Sequence, residues 1–397
     1  MEKLAIFGGK PVRDDKIFYG RQSVSREDVL AVADVLVSDY LTCGPKVREC
    51  ERELFEYTVA KYAVIVSNGT AALHCACIAA GIGPGDEVIT TPITFAASAN
   101  CALYVGAKPV FADICEDTYN IDPESIKAHI TDKTKAVVAV DFTGQATELD
   151  EIRKICKEHG LILIEDAAHS IGTRYDGKMV GSIADMTTFS FHPVKTITCG
   201  EGGAILTNDE ELYKKLLLAH AHGITKNPDK FEYESDGVWY YEEQSLGYNY
   251  RMTDFQAAML ISQLGRIDTF VGRRKEIVKM YNEAFGGMKE LILQKNIDKS
   301  DTSNHLYILG LNYEYLSCSR KEFFDALAAE NVQPQVHYVP VYYFPYYQKL
   351  GYKRGLCPVA ERVYDRILSI PLYPSLKDSD VSDVIAAVKK IVEYYRK

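Results

Sequence analysis

One lysine, Lys195, stands in "TFSFHPVKTITCGEGGAILTND" among small, apolar and hydroxyl residues, with no acid beside it. In a confined, poorly solvated pocket an ammonium is disfavoured, so such a lysine has a lowered pKa and offers a neutral amine able to attack an aldehyde. Upstream, the apolar run "LILIEDAAH" ends on Glu165 and Asp166, with His169 one turn on. A carboxylate at a buried strand end is costly unless a cation or hydrogen-bond donors meet it, and a protonated ring nitrogen answers that need.

Two more positions belong beside these. In "VSNGTAAL" a strand turns into a helix through Asn68, Gly69 and Thr70. Backbone amides and a hydroxyl at a helix N-terminus suit an anion such as a phosphate. Phe95, in "TTPITFAAS" just after another strand, offers a face on which a planar group can stack. Taken singly, each has an ordinary structural reading: a lysine snorkelling to solvent, a carboxylate capping neighbouring amides, a capped helix start, a core phenylalanine. Taken together they describe a pyridoxal phosphate site, with amides for the phosphate, an acid for the pyridine nitrogen, an aromatic face and a Schiff-base lysine. Neither G-x-x-x-x-G-K-[ST] nor a convincing G-x-G-x-x-G after a strand offers another phosphate fingerprint.

The elements that must position these residues are legible as alternating patterns. From Ala63 to about Asn208, the apolar runs "AVIVS", "EVITT", "KPVFADI", "KAVVAVDF", "LILIEDA", "TTFSF" and "GAILTN" read as strands. Helix-like segments such as "GTAALHCACIAAG" and "ELDEIRKICKEHG" lie between them, which predicts an α/β fold with a mostly parallel central sheet. In such sheets ligands sit beyond the carboxyl ends of the strands, where the candidates above fall. Residues 222–250 lack a clear period and read as a long excursion, after which "MTDFQAAMLISQLGRIDTFVGRRKEIVKMYNEAF" reads as helix. The division expected is a large α/β domain with its N-terminal segment, 1–270, and a smaller C-terminal α+β domain, 271–397.

Composition narrows the function classes. The chain has 397 residues, 47% hydrophobic and 25% charged, with a net charge of -10. It offers no basic footprint for nucleic acid. The N-terminal apolar run is too short for a signal peptide and no segment approaches the ~20 apolar residues of a membrane span, so a cytoplasmic protein without a membrane partner is expected. Ten scattered cysteines without a C-x-x-C read as free structural thiols, not as a zinc or redox site.

The ordered set "LAIFGGKPVR", "SNGTAAL", "DEVITTPITF", "EDAAHSIG", "SFHPVKTITCGEGGAILTND" and "LGYNYRMTD" resembles the DegT/DnrJ/EryC1/StrS family of nucleotide-sugar aminotransferases. The resemblance runs nearly the whole chain and implies the aspartate aminotransferase fold, fold type I. It implies that Lys195 carries the cofactor covalently, Asp166 pairs with the pyridine nitrogen and Phe95 stacks on the ring. It implies too that Gly69, Thr70 and Ser190 bind the phosphate and that His169 lies near the ring. Asn249, in "GYNYR", matches an asparagine that reaches the partner's phosphate in a homodimer with shared sites. For Arg251, a donor carboxylate and an interface ion pair both remain open.

The family's deoxygenating members carry histidine in place of the lysine, so Lys195 implies aminotransfer. Within the family, "YGRQSVSREDVLAVADVLVSDYLTCGPKV", "SFHPVK" and "VHYVPVYYFPYYQKLGY" resemble the C4 aminotransferases of pseudaminic acid biosynthesis. That implies a UDP-linked 4-keto-6-deoxy-sugar and L-glutamate as substrates. The sugar-nucleotide pocket is then expected to draw on Tyr19, on Asp39, Tyr40, Leu41 and Thr42, and on His337, Tyr338, Tyr346 and Tyr347. A packed tyrosine cluster is the alternative for the last group. The rival from another class is a non-catalytic cofactor-binding regulator, against which the lysine and aspartate pair argues.

Overall fold

The computed structural model describes residues 3–397. Numbering strands of three residues or more, the seven apolar runs become β1 Tyr62–Val66, β2 Glu87–Thr90, β3 Lys108–Phe111, β4 Thr134–Val140, β5 Ile162–Asp166, β6 Met186–Ser190 and β7 Gly203–Thr207. They form one sheet in the order β1-β7-β6-β5-β4-β2-β3. The pairs β2–β3, β2–β4, β4–β5 and β5–β6 are parallel, and β7 alone runs against its neighbours β1 and β6. This is the mostly parallel α/β sheet that the alternation implied.

The strands read as continuous apolar runs because both faces are covered. Ile65, Val137, Ala139 and Leu163 pack into one core layer, and Val64, Val138, Ile164 and Ile205 into the other. The helix Gly69–Ala79 is buried almost all round, and both Cys75 and Cys77 lie within it. All ten cysteines are free thiols, eight of them buried, with Cys43 exposed and Cys115 half-buried.

A second core sits under an antiparallel sheet of β8 Leu291–Leu293, β9 Tyr307–Leu311 and β10 Ile367–Ile370. The helices Ile267–Phe285, Arg320–Ala329 and Asp378–Tyr395 contribute buried residues to it. Leu4 and Ile17 belong to this core too. The N-terminal segment is strapped there by the buried Glu330 carboxylate, whose two oxygens accept from the Ala5 and Val12 amides, each at 2.9 Å. Its far end reaches the cleft between the layers, where the Leu372 amide donates to the Tyr19 carbonyl at 3.0 Å.

Two sequence expectations change in detail. The helix read from Met252 to Phe285 is two helices, Asp254–Leu264 and Ile267–Phe285, broken at Gly265 and Arg266. Glycine is a poor helix former, and the backbone turns there. The excursion over 222–250 holds only the short strands Ile224–Thr225 and Glu242–Glu243 and one 3-10 turn, and it leaves Val238 and Trp239 exposed.

Candidate active site

A cleft of about 650 Å³ opens at the carboxyl ends of β4, β5 and β6. It brings together Lys195, Asp166, His169, Gly69, Thr70, Phe95 and Ser190, and from the expected sugar pocket Tyr19, His337 and Tyr338.

Asp166 ends β5 and is buried. Its Oδ2 accepts from the Ser98 hydroxyl at 2.6 Å and its Oδ1 from the Ala168 amide at 3.2 Å. Burial pushes its pKa up, while those two donors and the nearby Lys195 ammonium pull it back. Lys195 is pushed the other way, down to about 8, because burial disfavours its charge more than the Asp166 carboxylate restores it. The sequence argument for an amine that is partly neutral near physiological pH thus has its physical cause in the cleft wall.

The anion end is built by backbone. Asn68 caps the helix Gly69–Ala79, its Oδ1 accepting from the Ala71 amide at 2.8 Å, which leaves the amides of the first turn free of intrahelical partners. Gly69 is required by close approach: a Cβ there would lie 2.8 Å from the Ser190 Cβ. The helix start and the end of β6 therefore approach closely, and Thr70 and Ser190 both line the cleft there. Phe95 also lines the cleft, 62% exposed, with its ring 6.5 Å from that of Tyr338.

Four histidines line the same cleft, His169, His192, His305 and His337, and three of them are buried. His169 Nε2 meets the Tyr338 hydroxyl at 3.1 Å, and His337 Nδ1 meets the Ser369 hydroxyl at 2.7 Å. His305 packs against His169 with ring centroids 4.4 Å apart. Burial, reinforced by neighbouring charges, holds His169 and His305 well below the usual histidine pKa and His337 at about 3, so all three are neutral. Nδ1 of both His169 and His305 is buried without a partner. Gly144, at φ +96°, lets the two segments approach, since a Cβ would lie 2.8 Å from the His305 backbone nitrogen and 2.9 Å from the His169 carbonyl oxygen.

Ser98 and His305 are site residues that the sequence argument missed. Ser98 is one helical turn beyond Phe95, a spacing that would have revealed it. His305 precedes β9 in the other core layer, and no local pattern ties it to His169.

The remaining candidates lie elsewhere. Tyr347 is buried in a tyrosine cluster, its ring 5.8 Å from Phe111 and its hydroxyl donating to Asn100 Oδ1 at 2.7 Å, so it has no face for a substrate. For this residue the packed-cluster alternative holds. Tyr346 is exposed outside the cleft. Asp39, Tyr40, Leu41 and Thr42 are exposed and line no part of it, and neither does Asn249, whose backbone bridges Ala221. Arg251 bridges Val66 at the start of the same sheet, outside the cleft.

The family model for the DegT/DnrJ/EryC1/StrS aminotransferases matches residues 22–389. The chain belongs to this aminotransferase family. Among curated relatives, the spore coat polysaccharide biosynthesis protein SpsC of Bacillus subtilis is 45% identical, over 94% of this chain and 97% of its own length. The UDP-4-amino-4,6-dideoxy-N-acetyl-beta-L-altrosamine transaminase of Campylobacter jejuni is 39% identical, over 96% of this chain and 99% of its own. Among solved structures, the PLP form of the putative sugar aminotransferase Spr1654 from Streptococcus pneumoniae has a TM-score of 0.88 at 30% identity, covering 96% of this chain and 99% of that one. The aminotransferase fold of type I is thus the fold of this chain. Among the described residues, no helix is long and apolar enough to cross a membrane and no cluster of side chains could hold a metal ion.

Proposed function

We propose that this aminotransferase moves an amino group from L-glutamate to C4 of UDP-2-acetamido-2,6-dideoxy-β-L-arabino-hexos-4-ulose, giving UDP-4-amino-4,6-dideoxy-N-acetyl-β-L-altrosamine. The observation that carries the chemistry is the pairing of Lys195 and Asp166 in one cleft with a free helix N-terminus. The substrate assignment is supported by the relative from Campylobacter jejuni and by the stretches "SDYLTCG", "SFHPVK" and "VHYVPVYYFPYYQ".

The cofactor is pyridoxal 5'-phosphate, which when bound supplies an aldehyde for amines and an electron-withdrawing ring. The residues present fit it: the amides of Gly69 and Thr70 with the Ser190 hydroxyl for the phosphate, Asp166 for the pyridine nitrogen and Phe95 for the ring face. Asp166, fixed by Ser98 and the Ala168 amide, would favour a protonated pyridine nitrogen. Lys195 binds the cofactor at rest. With L-glutamate bound in its place, the freed Lys195 amine would be the base positioned to take the proton from the donor Cα and the acid positioned to deliver one at the sugar C4. The neutral rings of His169 and His305 border the same space and offer hydrogen bonds without adding charge.

The exposed Asp39–Thr42 tract and Asn249 act, in this reading, at the partner's site within a homodimer. In the segment that leads into this tract, Val29, Leu30, Leu36 and Val37 are exposed, as are Tyr40 and Leu41 within it.

The test is a side-by-side assay of the L-arabino and D-xylo UDP-4-ketosugars with L-glutamate, the products identified by mass spectrometry and NMR. A site built around buried hydrogen bonds separates such epimers strongly. A higher kcat/KM for the D-xylo sugar, or a new amine at C3, overturns the substrate assignment and leaves the aminotransferase standing.

A further inference from the structure

The turn that presents Asp166 and His169 to the cleft is gripped from the far face of the sheet by two acids. Side chains alternate along a strand, so Asp166 and Glu165 at the end of β5 point to opposite faces. Ala139 of β4 is the partner of Glu165, and Asp141 follows β4 directly, on the Glu165 side. Both acids are fully buried on the same side of paired strands, and each carboxyl acts on the other.

Two neighbouring ionised carboxylates in a buried site offer each other only acceptors and repel, and one proton between them relieves both. The other partners leave room for it. Asp141 Oδ1 accepts from the Thr147 amide at 3.0 Å and Oδ2 from the Ser170 hydroxyl at 2.6 Å, while Glu165 Oε2 accepts from the Thr187 hydroxyl at 2.8 Å. Glu165 Oε1 has no donor within hydrogen-bond distance, with the Gly181 amide facing the same carboxyl from farther off. Among the described residues no lysine, arginine or histidine pairs with either acid, and the other charged group acting on Glu165 is Asp166. Burial pushes both carboxyls up, Glu165 to about 7 and Asp141 well above the usual range.

Asp141 also holds both ends of the functional turn. Its amide donates to the Asp166 carbonyl at 3.1 Å, and its carboxyl takes the hydroxyl of Ser170, next to His169. We propose that Asp141 and Glu165 share one proton and act as a single positioning unit for Asp166 and His169. The shared proton limits the pair to one negative charge behind Asp166. A second charge there would favour protonated Asp166 and weaken its hold on a cationic ring nitrogen.

The functional half of this proposal rests on the reading of the cleft given above; the proton-sharing half does not. Infrared spectra of the full chain at pH 8, with and without cofactor, test the latter. The spectrum of the wild type minus that of Asp141→Asn/Glu165→Gln should contain the carbonyl stretch of a protonated carboxyl, because acids outside the pair cancel. A difference spectrum without that band overturns the shared proton. For positioning, Glu165→Leu removes the donor that Glu165→Gln keeps. The leucine variant should lose about tenfold or more in kcat, the cost of an unpaired buried group, and the glutamine variant should recover most of it. The pH at which the absorbance of the Lys195-linked cofactor changes should move in the leucine variant and return in the glutamine variant. Equal loss in both variants, or no loss in a folded leucine variant, overturns the positioning role. Absence of turnover in the wild type with every ketosugar would count against the reaction alone and leave the infrared result intact.

Discussion

The Ser98 hydroxyl donates to Oδ2 of Asp166 at 2.6 Å, one helical turn from the exposed Phe95 ring. That short bond is one of the forces holding the buried carboxyl ionised against its own desolvation.

Removing it should let the Asp166 pKa climb. Ser98→Ala is expected to lower kcat by roughly tenfold, the scale of a hydrogen bond to a charged group. Asp166→Asn should go further, losing turnover far more than cofactor affinity, because the phosphate contacts remain. Steady-state kinetics and cofactor titration on both variants measure this, and near-normal turnover in Asp166→Asn would remove that residue from the mechanism.

Lys195 predicts a pH signature in stability. Its folded pKa of about 8 lies below the ordinary value of 10.5, so between those pH values the unfolded chain binds more protons and stability rises with pH. The contribution is present above 10.5 and lost as the pH falls through about 8. Cofactor-free Lys195→Met should therefore be more stable than the wild type at pH 7, by about 1–3 kcal/mol, with the gap closing towards pH 10.5. Denaturant unfolding of both proteins across that range measures it, and a constant gap would mean that the amine is not desolvated.

Gly69→Ala places a Cβ against Ser190 and widens the phosphate end of the cleft. Cofactor affinity should fall by about tenfold or more with little change in unfolding midpoint, since the helix start is strained and not the core. Equilibrium dialysis of pyridoxal phosphate checks the first part and thermal melts the second.

Shared sites predict complementation. Lys195→Ala and Asn249→Asp chains, each inactive alone, should regain part of the wild-type activity when mixed under conditions of subunit exchange. Borohydride should at the same time fix the cofactor to chains that retain Lys195. Exchange without any regain of activity would place Asn249 outside the partner's site.

How much of this was written in the chain locally can be judged from particular residues. β-strands bury both faces when helices cover them, so seven apolar runs and the order "SNGT", "EDAAH", "HPVK" were enough to imply a mostly parallel sheet with its ligand at the strand ends. Asp166 ends such a run, and Gly69, Lys195 and Phe95 follow one within a few residues, so a short-range pattern brought all four to the cleft. Tyr346 and Tyr347 look alike in "PYYQ", yet one is exposed and the other packs on Phe111, because burial depends on what lies across the chain and not on composition. His305 joins His169 through Gly144, whose missing side chain lets two distant segments touch. Asp141 and Glu165 come together across two strands for the same reason: long-range register, set by the packing of the whole sheet, decides which acids meet and whether a proton must lie between them.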